Sequence, residues 1–343
     1  MNNKLAEINK YLSSSNNTKV LVIGDIILDE YVTCKASYSK AEEIKKWKVE
    51  NNKFFLGGAA NVASNISSLG GEVFLLGVIG NDFEGDVILE LLHQVCNTSL
   101  ILRDQERRTT IKTRYYIDQS ETIRIDREDE IPLNESTKSG LIEQLKQLVV
   151  GVDCIIVSDY NKGVIENKVI NEVLSLGKRL DKKVIVDPKG RAANKYAGAT
   201  CITPNLIEFN DLTGESITDW KQAIPIATNF LKKFNIQYLL LTNSDLGSAL
   251  FTTMGFRHLP ALCNEVNSTI GAGDSLIAGL AMGFSIGLKD NDAFLLANLT
   301  SSAAVSKPFT TSITANDILN HIEQIKEAFL SESFLNELHS TMA

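Results

Sequence analysis

Short apolar runs alternate along this chain with segments of helical periodicity. The apolar runs cover residues 20–24, 73–79, 154–158, 184–187 and 238–242. Each has the length and the β-branched content of a buried strand. The helical segments between them cover residues 59–69, 86–95, 138–148, 168–180 and 223–234. The alternation predicts an α/β fold, in which a mostly parallel sheet carries helices on both faces.

Two stretches, at about 30–50 and 109–126, are strand-like but do not alternate with helices. They are rich in charged, β-branched and aromatic residues, and they predict a small antiparallel sheet that projects as a lid. A lid over a transferase site excludes water that would compete with the acceptor. We expect one domain over residues 18–335, with the two lid segments inserted and amphipathic helices over 315–335.

The composition is that of an ordinary globular protein, with 343 residues, 44% hydrophobic residues and a net charge of -8. The negative charge argues against a nucleic-acid partner. No apolar run approaches the ~20 residues of a membrane span, and the polar first 19 residues do not resemble a signal peptide. The five cysteines are widely spaced, which favours free thiols in a reducing compartment. We therefore expect a cytoplasmic protein with no membrane partner.

Polar side chains follow the ends of the predicted strands. In parallel sheets of this type, ligands bind beyond the carboxyl ends of the strands. The polar residues at those positions are Asp25, Asp29, Asp159, Asp187, Asn205 and Thr242. The sequence therefore predicts that they converge on one crevice.

The sequence Gly271-Ala272-Gly273-Asp274 is followed at once by an apolar helical run. Glycines let the backbone approach a ligand closely, and a helix start directs free N–H groups at anions. An aspartate in the same turn could take a proton from a hydroxyl. These are the groups needed to transfer a phosphoryl group to an alcohol. The alternative is that Asp274 only caps the helix.

The sequence Gly57-Gly58-Ala59-Ala60-Asn61 also opens a predicted helix. Its small residues would let a ligand approach, and the Asn61 amide could bond sugar hydroxyls as donor and acceptor. The alternative is a tight turn with close helix packing.

Further candidates lie on loops after strands, and one, Arg124, lies on a predicted strand. Asn205 and Glu208 are spaced to hold Mg²⁺ beside nucleotide phosphates, or to form a capping box. Lys162 and Lys189 could neutralise phosphate, or could be solvated loop residues. Arg124 could form a surface ion pair with Asp126, which would contribute little to stability.

The two glycine-rich motifs together, in their order and spacing, resemble the signatures of the ribokinase-like (PfkB) carbohydrate kinases over about residues 18–315. This resemblance implies a three-layer αβα sandwich with a small β-sheet lid. Within the family the chain is most similar to the heptose 7-phosphate kinases of lipopolysaccharide precursor synthesis. The pieces that carry this second likeness are Gly24-Asp25, Leu28-Asp29, Ile123-Arg124-Ile125-Asp126, Ser158-Asp159-Tyr160, Lys162-Gly163, Val186-Asp187-Pro188-Lys189-Gly190 and Thr203-Pro204-Asn205 with Glu208.

The resemblance implies a role for each candidate. Asp274 would be the base, and the amides of the turn opened by Gly271 (Ala272, Gly273 and Asp274) would form the anion hole. The residues expected to bind the sugar or its phosphate are Asp29, Gly57, Gly58, Asn61, Arg124, Lys162 and Lys189. The residues expected on the nucleotide and metal side are Asn205, Glu208, Asp187, Thr242 and Gly247. ATP and Mg²⁺ would be the cofactors, and a homodimer through the lid is the expected assembly.

The chain departs from the family pattern at several positions. Ser268 and Ile270 replace the usual Asp and Thr before the glycine-rich turn, which leaves a monovalent-cation site doubtful. Phe309 replaces a small residue expected near the adenine. The lid lacks the proline-rich segment of the heptose kinases and has residues 38–44 in its place.

The expected function is that of an ATP-dependent sugar kinase. The leading acceptor is the anomeric hydroxyl of D-glycero-D-manno-heptose 7-phosphate, and the product is the 1,7-bisphosphate. The alternatives are a kinase of another sugar or sugar phosphate and a non-catalytic paralogue that binds sugar or nucleotide. A monofunctional kinase without a nucleotidyltransferase domain is expected. The anomer, the oligomeric state and the pathway are not readable from the sequence.

Overall fold

The computed structural model describes residues 17–39, 44–117, 120–263 and 266–325. The expected lid residues 40–43 and the helical segment over 326–335 lie outside these ranges. The strands are β1 (Lys19–Gly24), β2 (Ile26–Ser39), β3 (Ile44–Gly58), β4 (Glu72–Leu76), β5 (Val78–Gly80), β6 (Leu102–Asp104), β7 (Thr110–Ile117), β8 (Ser120–Arg127), β9 (Cys154–Ser158), β10 (Lys183–Asp187), β11 (Cys201–Ile202), β12 (Tyr238–Asn243), β13 (Gly247–Thr252) and β14 (Gly255–Leu259).

The helices of the described residues include every predicted one. They are α1 (Ala59–Ser68), α2 (Phe83–Leu92), α3 (Glu135–Leu148), α4 (Asn167–Arg179), α5 (Leu206–Thr213), α6 (Trp220–Phe234), α7 (Ala272–Ser285), α8 (Asp290–Val305) and α9 (Ala315–Gln324). Among these described helices, none combines the length and the apolar character needed to cross a bilayer.

The main sheet has the strand order β14-β13-β12-β11-β10-β9-β1-β4. Strands β12, β11, β10, β9, β1 and β4 are parallel, and β13 and β14 extend one edge as antiparallel strands. Val20 and Val22 of β1 pack on one face, whereas Leu21 and Ile23 pack on the other. Two separate apolar cores therefore cover the two faces. This arrangement confirms the predicted three-layer fold class.

The predicted strand over residues 73–79 is divided at Gly77. Strand β4 belongs to the main sheet, whereas β5 pairs with β6 in a separate two-stranded sheet. A Cβ atom on Gly77 would lie 2.6 Å from the Ile26 side chain and 2.9 Å from the Gly24 carbonyl oxygen. The chain bends here because it passes closely over the start of the lid, and an apolar run alone does not reveal such a bend.

The lid is a four-stranded sheet in the order β3-β2-β7-β8. The prediction of an antiparallel sheet was wrong for its central pair, because β2 and β7 run parallel from Ile27↔Thr110 to Cys34↔Ile117. The pairs β2–β3 and β7–β8 are antiparallel hairpins. Each hairpin begins at the main domain and runs outward, so their first strands must lie parallel where the hairpins meet.

Helices α7 and α8 pack closely because α7 carries glycines at the contact. A Cβ atom on Gly279 would lie 2.6 Å from Thr300 Oγ1, and one on Gly283 would lie 2.9 Å from Ala293 Cα. Real Cβ contacts are almost never this short, so both positions require glycine. The close packing fixes the position of α7, whose first turn contains Asp274.

We predict that Gly279→Ala lowers the free energy of unfolding by about 1–3 kcal/mol, because the added methyl group overfills the contact with α8. Denaturant unfolding measures the change. Gly140→Ala is the matched control, since its Cβ would have only one ordinary contact, at 3.5 Å from Leu102 Cδ1, in the middle of helix α3. It should leave stability unchanged or raise it by up to about 1 kcal/mol. Equal effects of the two substitutions would contradict the packing argument.

Candidate active site

A cavity of about 830 Å³ opens beyond the carboxyl ends of β9, β10 and β12, at the start of α7. Its position follows from the parallel order of these strands. The predicted site residues that line it are Asp187, Lys189, Asn205, Glu208, Thr242, Gly247, Gly271, Ala272, Gly273 and Asp274. The structure therefore brings the predicted turn and the predicted nucleotide and metal residues to one place.

The turn before α7 requires glycine at its first position. Gly271 has a φ of 80°, which is the left-handed region. A Cβ atom there would also lie 2.9 Å from Asn61 Nδ2 and 3.3 Å from Thr310 Cγ2. The turn is therefore wedged between α1 and the loop after α8. This wedge sets where the first turn of α7 points.

The first turn of α7 presents main-chain N–H groups to the cavity, as the N-terminus of a helix does. The Ala272 amide donates to the Thr269 carbonyl oxygen at 3.3 Å, so the resting turn already uses one of the three predicted amides. Gly273 lines the cavity, and a Cβ atom added there would meet no protein atom within 4 Å. Such a methyl group would instead occupy the cavity beside the helix start, where an anion would bind.

Asp274 is 4% exposed and lies between two neutral donors. Asn61 Nδ2 donates to its Oδ2 at 2.7 Å, and the Tyr160 hydroxyl donates to its Oδ1 at 2.9 Å. Burial raises the pKa of Asp274 to about 6, although the two hydrogen bonds act in the opposite direction. A carboxylate with such a pKa is ionised at neutral pH and is a better proton acceptor than an exposed aspartate.

Asn61 is oriented by a second asparagine on the same helix. Asn65 Nδ2 donates to the Asn61 side-chain oxygen at 3.2 Å and to its main-chain oxygen at 2.9 Å. Ser275 Oγ and the Ile313 main-chain N–H both donate to Asn65 Oδ1. Because Asn61 Oδ1 accepts from Asn65, its amide nitrogen is the end that faces Asp274. Asn61 thus contacts the predicted base.

Asp29 lies under the lid and is not among the described residues that line the cavity. Arg114 Nη1 donates to Asp29 Oδ1 at 2.7 Å, and both side chains are nearly buried. Thr310 Oγ1 donates to the other oxygen at 3.1 Å. A Cβ atom on Gly57 would lie 2.6 Å from Asp29 Oδ2. Gly57 is therefore small because Asp29 packs against it.

Gly58 has a φ of 55°, and a Cβ atom there would lie 2.5 Å from the main-chain oxygen of Asp25. Asp25 is buried, and its carboxylate accepts main-chain N–H groups from Tyr160, Lys162 and Val164 at 2.7–3.2 Å. Burial and the nearby Asp159 raise the pKa of Asp25 to about 6. These three bonds fix the loop that follows β9 against the start of the lid.

Carboxylates gather at the end of the cavity near α5. Asn205 and Glu208 form a capping box, and Lys189 Nζ donates to Glu208 Oε1 at 2.7 Å. Burial raises the pKa of Asp187 well above its usual range, and the charges of Glu208 and Asp274 raise it further. A divalent cation would relieve this repulsion, and carboxylate and amide oxygens are the ligands that Mg²⁺ prefers. These side chains therefore offer the kind of ligand that Mg²⁺ takes, although the described residues contain no group of three or more Asp, Glu, His or Cys side chains spaced to hold a metal ion. The alternative capping function of Asn205 and Glu208 is also realised.

Two predicted phosphate-binding residues lie away from the described lining of the cavity. Lys162 Nζ contacts Glu128 and Glu130, at 2.7 Å from each. Arg124 Nε contacts Asp126 at 2.9 Å and remains half-exposed on the lid. The surface-pair alternative considered for Arg124 is thus seen in the structure. Lys189, by contrast, lines the cavity.

The end of the cavity at which the sequence predicts nucleotide binding lies between β12, β13 and α8. Thr242 is paired with Asn205 in a short parallel bridge, and Gly247 has a φ of 80°. A Cβ atom on Gly247 would lie 2.2 Å from the Leu259 main-chain oxygen. Phe309 is not placed here. Its ring contacts Tyr31 and Phe55 of the lid, at centroid distances of 4.9 and 5.6 Å.

The sequence analysis assigned no role to four residues around Asp274 and Asp29. Tyr160 contacts Asp274, Arg114 and Thr310 contact Asp29, and Lys112 lies over the Tyr160 ring. Lys112 and Arg114 alternate along β7 and therefore share the face of the lid that carries Asp29. Charged residues at alternate positions of a β-branched run were the available signal. No sequence signal marked Thr310, because it reaches Asp29 from 281 positions along the chain.

Comparison with known proteins places the chain in a family. The pfkB family carbohydrate kinases match residues 17–316. The "Bifunctional protein HldE" of Pelobacter propionicus is 35% identical over 305 residues, which is 88% of this chain and 62% of that protein. The protein of the same name from Trichlorobacter lovleyi is 36% identical over 322 residues, or 93% of this chain and 65% of that protein. The chain thus spans about two thirds or less of the length of these relatives.

Solved structures share the fold at lower identity. A ribokinase from Arabidopsis thaliana, complexed with ribose and ATP, has a TM-score of 0.71 and 18% identity over 89% of this chain and 99% of its own. Phosphofructokinase-2 from Escherichia coli, in complex with potassium, has a TM-score of 0.75 and 17% identity over 90% of this chain and 99% of its own. The fold is therefore ribokinase-like, as the motifs implied.

These findings define the protein as a phosphotransferase whose acceptor is an alcohol group. The chain belongs to the pfkB family of carbohydrate kinases.

We predict that Arg114→Met lowers the free energy of unfolding by about 3–5 kcal/mol, because it leaves the buried Asp29 carboxylate without its cation. Arg124→Met is the matched control. It removes the neighbouring arginine of the lid, whose ion pair is exposed, and should cost less than about 1 kcal/mol. Thermal and denaturant unfolding of both variants measure the difference. Adding Asp29→Asn to Arg114→Met should recover part of the loss, and an unchanged loss would contradict the charge argument.

Proposed function

We propose that the protein transfers the γ-phosphoryl group of ATP to a hydroxyl group of a sugar phosphate. The observation that carries this proposal is the buried Asp274 carboxylate at the start of a helix whose first turn faces an 830 Å³ cavity. A base, an anion-binding helix start and room for two substrates are thereby joined in one site.

In the proposed reaction, Asp274 accepts the proton of the acceptor hydroxyl as that oxygen attacks the γ-phosphorus of ATP, and the bond from this phosphorus to the β–γ bridging oxygen breaks to release ADP. The N–H groups of Gly273 and Asp274 stabilise the negative charge of the transferred group. Asn205, Glu208 and Asp187 would hold Mg²⁺, which neutralises charge on the nucleotide phosphates when it is bound. Lys189, which lines the cavity beside Glu208, is available to the same phosphates.

The inner face of the lid supports a phosphorylated acceptor. This face carries Lys53, Lys112, Arg114 and Arg124 at facing positions of three strands, with Asp29 of β2 and Asp126 of β8 among them. Arg114 is neutralised by Asp29, and Arg124 contacts Asp126. Lys53 is exposed, and its Nζ lies 5.8 Å from the centre of the Phe309 ring. The cations exceed the anions on this face, which favours a substrate with its own negative charge.

Among sugar phosphates, the motif resemblance makes heptose 7-phosphate the leading acceptor, with transfer to its anomeric hydroxyl. Lipopolysaccharide or another heptose glycan would be the destination of the product. Another sugar or sugar phosphate is the second candidate. It is supported by the lid segment around residues 38–44, whose sequence differs from that of the heptose kinases.

Asp274→Asn should lower kcat for phosphoryl transfer by at least about 10³-fold, because the amide cannot accept the proton. ADP release is measured with Mg-ATP against heptose 7-phosphate, sedoheptulose 7-phosphate, fructose 6-phosphate, ribose and fructose. Product mass and phosphorus NMR identify the position of transfer. Since activity requires the ionised base, the wild-type kcat/KM should fall as pH drops through about 6.

Nucleotide binding by calorimetry is the control for Asp274→Asn and should be preserved. Retained turnover in this variant would contradict the assignment of the base. Turnover of unphosphorylated sugars alone would contradict the proposed acceptor class. Nucleotide binding without turnover of any acceptor would favour a non-catalytic paralogue.

We also propose a homodimer that forms through the outer face of the lid. This face carries apolar side chains that are 42–58% exposed in the single chain: Tyr38, Trp47, Val49, Ile123 and Ile125. Exposed apolar groups that share one face of a sheet are typical of an interface.

Ile125→Glu should convert the dimer to a monomer, because it places a charge within the proposed apolar interface. Light scattering coupled to size exclusion measures the mass. Ile131→Glu is the matched control, since Ile131 is also 48% exposed but lies after the lid strands. A wild-type monomer, or dimers in both variants, would contradict this assembly.

We propose that the protein works in a reducing compartment such as the cytoplasm, because the wide spacing of its five cysteines favours thiols over a disulfide framework.

A further inference from the structure

Tyr160 lies on the loop that follows β9, between the cavity and the lid. Its main-chain N–H donates to Asp25 at 2.7 Å, and the next residue, Asn161, has a left-handed φ of 59°. Asn161 in turn donates its N–H to Asp159 Oδ1 at 2.9 Å. The backbone of Tyr160 is therefore held from both sides. Only the side-chain torsions of Tyr160 remain to be set.

The Tyr160 hydroxyl donates to Asp274 Oδ1 at 2.9 Å. Burial raises the pKa of Tyr160 well above its usual range, and the charge of Asp274 raises it further. The phenol is therefore protonated and acts as the donor. Since Asn61 donates to the other oxygen, the plane of the Asp274 carboxylate is fixed at both ends. Each oxygen keeps a second acceptor position for a substrate hydroxyl.

The Tyr160 ring is also contacted from the lid. Lys112 Nζ lies 5.0 Å from the centre of this ring, within the range of a cation–π interaction. Lys112 is on β7, whereas Asp274 is on α7 of the main domain. The path from Lys112 through Tyr160 to Asp274 is thus a direct physical link between lid and base.

We propose that Tyr160 is a positioning residue that couples the lid to the base: Lys112 orders its ring, and its hydroxyl orients the Asp274 carboxylate. The proposal rests on the role of Asp274 proposed above. Movement of the lid away from the main domain would withdraw Lys112 and release the ring. The base would then reach its reactive orientation only under a closed lid, which limits the transfer of phosphoryl groups to water.

Tyr160→Phe is the first test, with the leading acceptor of the panel above as substrate. We expect kcat to fall about tenfold or more, because one hydrogen bond to a charged group is lost, while KM for ATP stays within about twofold. The charged and titratable groups that face Asp274 are Asp29, Lys112, Asp187 and Tyr160. The phenol stabilises the carboxylate, so its removal should raise the pKa of Asp274. The acidic limb of kcat/KM should therefore move to higher pH, with part of the lost activity recovered by alkaline buffer.

Tyr238→Phe is the matched control. Its hydroxyl also donates to a carboxylate, Asp290, but at the amino end of β12, whereas the cavity lies beyond the carboxyl end of that strand. This variant should keep the wild-type kcat and pH profile. Thermal unfolding measures the folding stability of Tyr160→Phe. If the substitution acted only by lowering this stability, kcat would fall with the active fraction but the acidic limb would not move, and the positioning role would be overturned.

A double-mutant cycle tests the part of Lys112. Lys112→Met keeps the aliphatic stem and removes the charge, and it should lower kcat in the wild-type background. In the Tyr160→Phe background the same change should have an effect less than about half as large on a logarithmic scale, because coupled residues are not additive. Independent effects would show that Lys112 does not act through Tyr160, and would overturn the coupling.

The outcomes separate this inference from the proposed function. If Asp274→Asn is inactive but Tyr160→Phe matches Tyr238→Phe in kcat and pH profile, the base stands and the positioning role is overturned. If Asp274→Asn remains active, or if the wild-type protein phosphorylates no acceptor, the proposed function fails and this inference fails with it.

Discussion

The burial of three aspartates at the junction of the main sheet and the lid is the constraint on which the site depends. A buried carboxylate must be compensated, and each of the three is compensated differently. Asp25 accepts main-chain N–H groups, Asp29 has the guanidinium of Arg114, and Asp274 has two neutral donors. Of the three, Asp274 is the one among the described residues that lines the cavity, and with a pKa of about 6 it is ionised at neutral pH and placed to take a proton from a bound substrate. The first two hold the loop and the lid in place around it.

Much of the main domain could be predicted because its signals are local. The five apolar runs and the five helical segments recur in the structure with bounds that shift by a few residues, and the parallel order follows from their alternation. The turn at Gly271 could be located for the same reason, since its glycines and the helix after it are contiguous. The break at Gly77 was missed because it depends on close contacts with Gly24, at the end of β1, and Ile26, at the start of β2.

The pairing of the lid strands and the contacts of Asp274, the proposed base, could not be predicted in the same way. Whether two hairpins meet through parallel or antiparallel strands depends on where each leaves the main domain, and no local pattern records this. The residues that line the cavity were predicted better than the contacts that hold those residues in place. Asn61 was expected to contact sugar hydroxyls, whereas in the structure its amide donates to Asp274. Lys162 was expected at a phosphate, whereas it contacts two glutamates of a loop that the sequence does not mark.

The hydrogen bond between Asn61 and Asp274 joins residues that are 213 positions apart. Loop closure over such a distance occurs only after most of the chain has been synthesised, since domains of this kind assemble through non-local contacts. The first half of the chain, including the lid strands, contains Asn61 but not Asp274. The phosphoryl transfer proposed above therefore requires α7 to be docked against α1, because only then does Asn61 contact Asp274. Under that proposal, a partly made chain could not consume nucleotide.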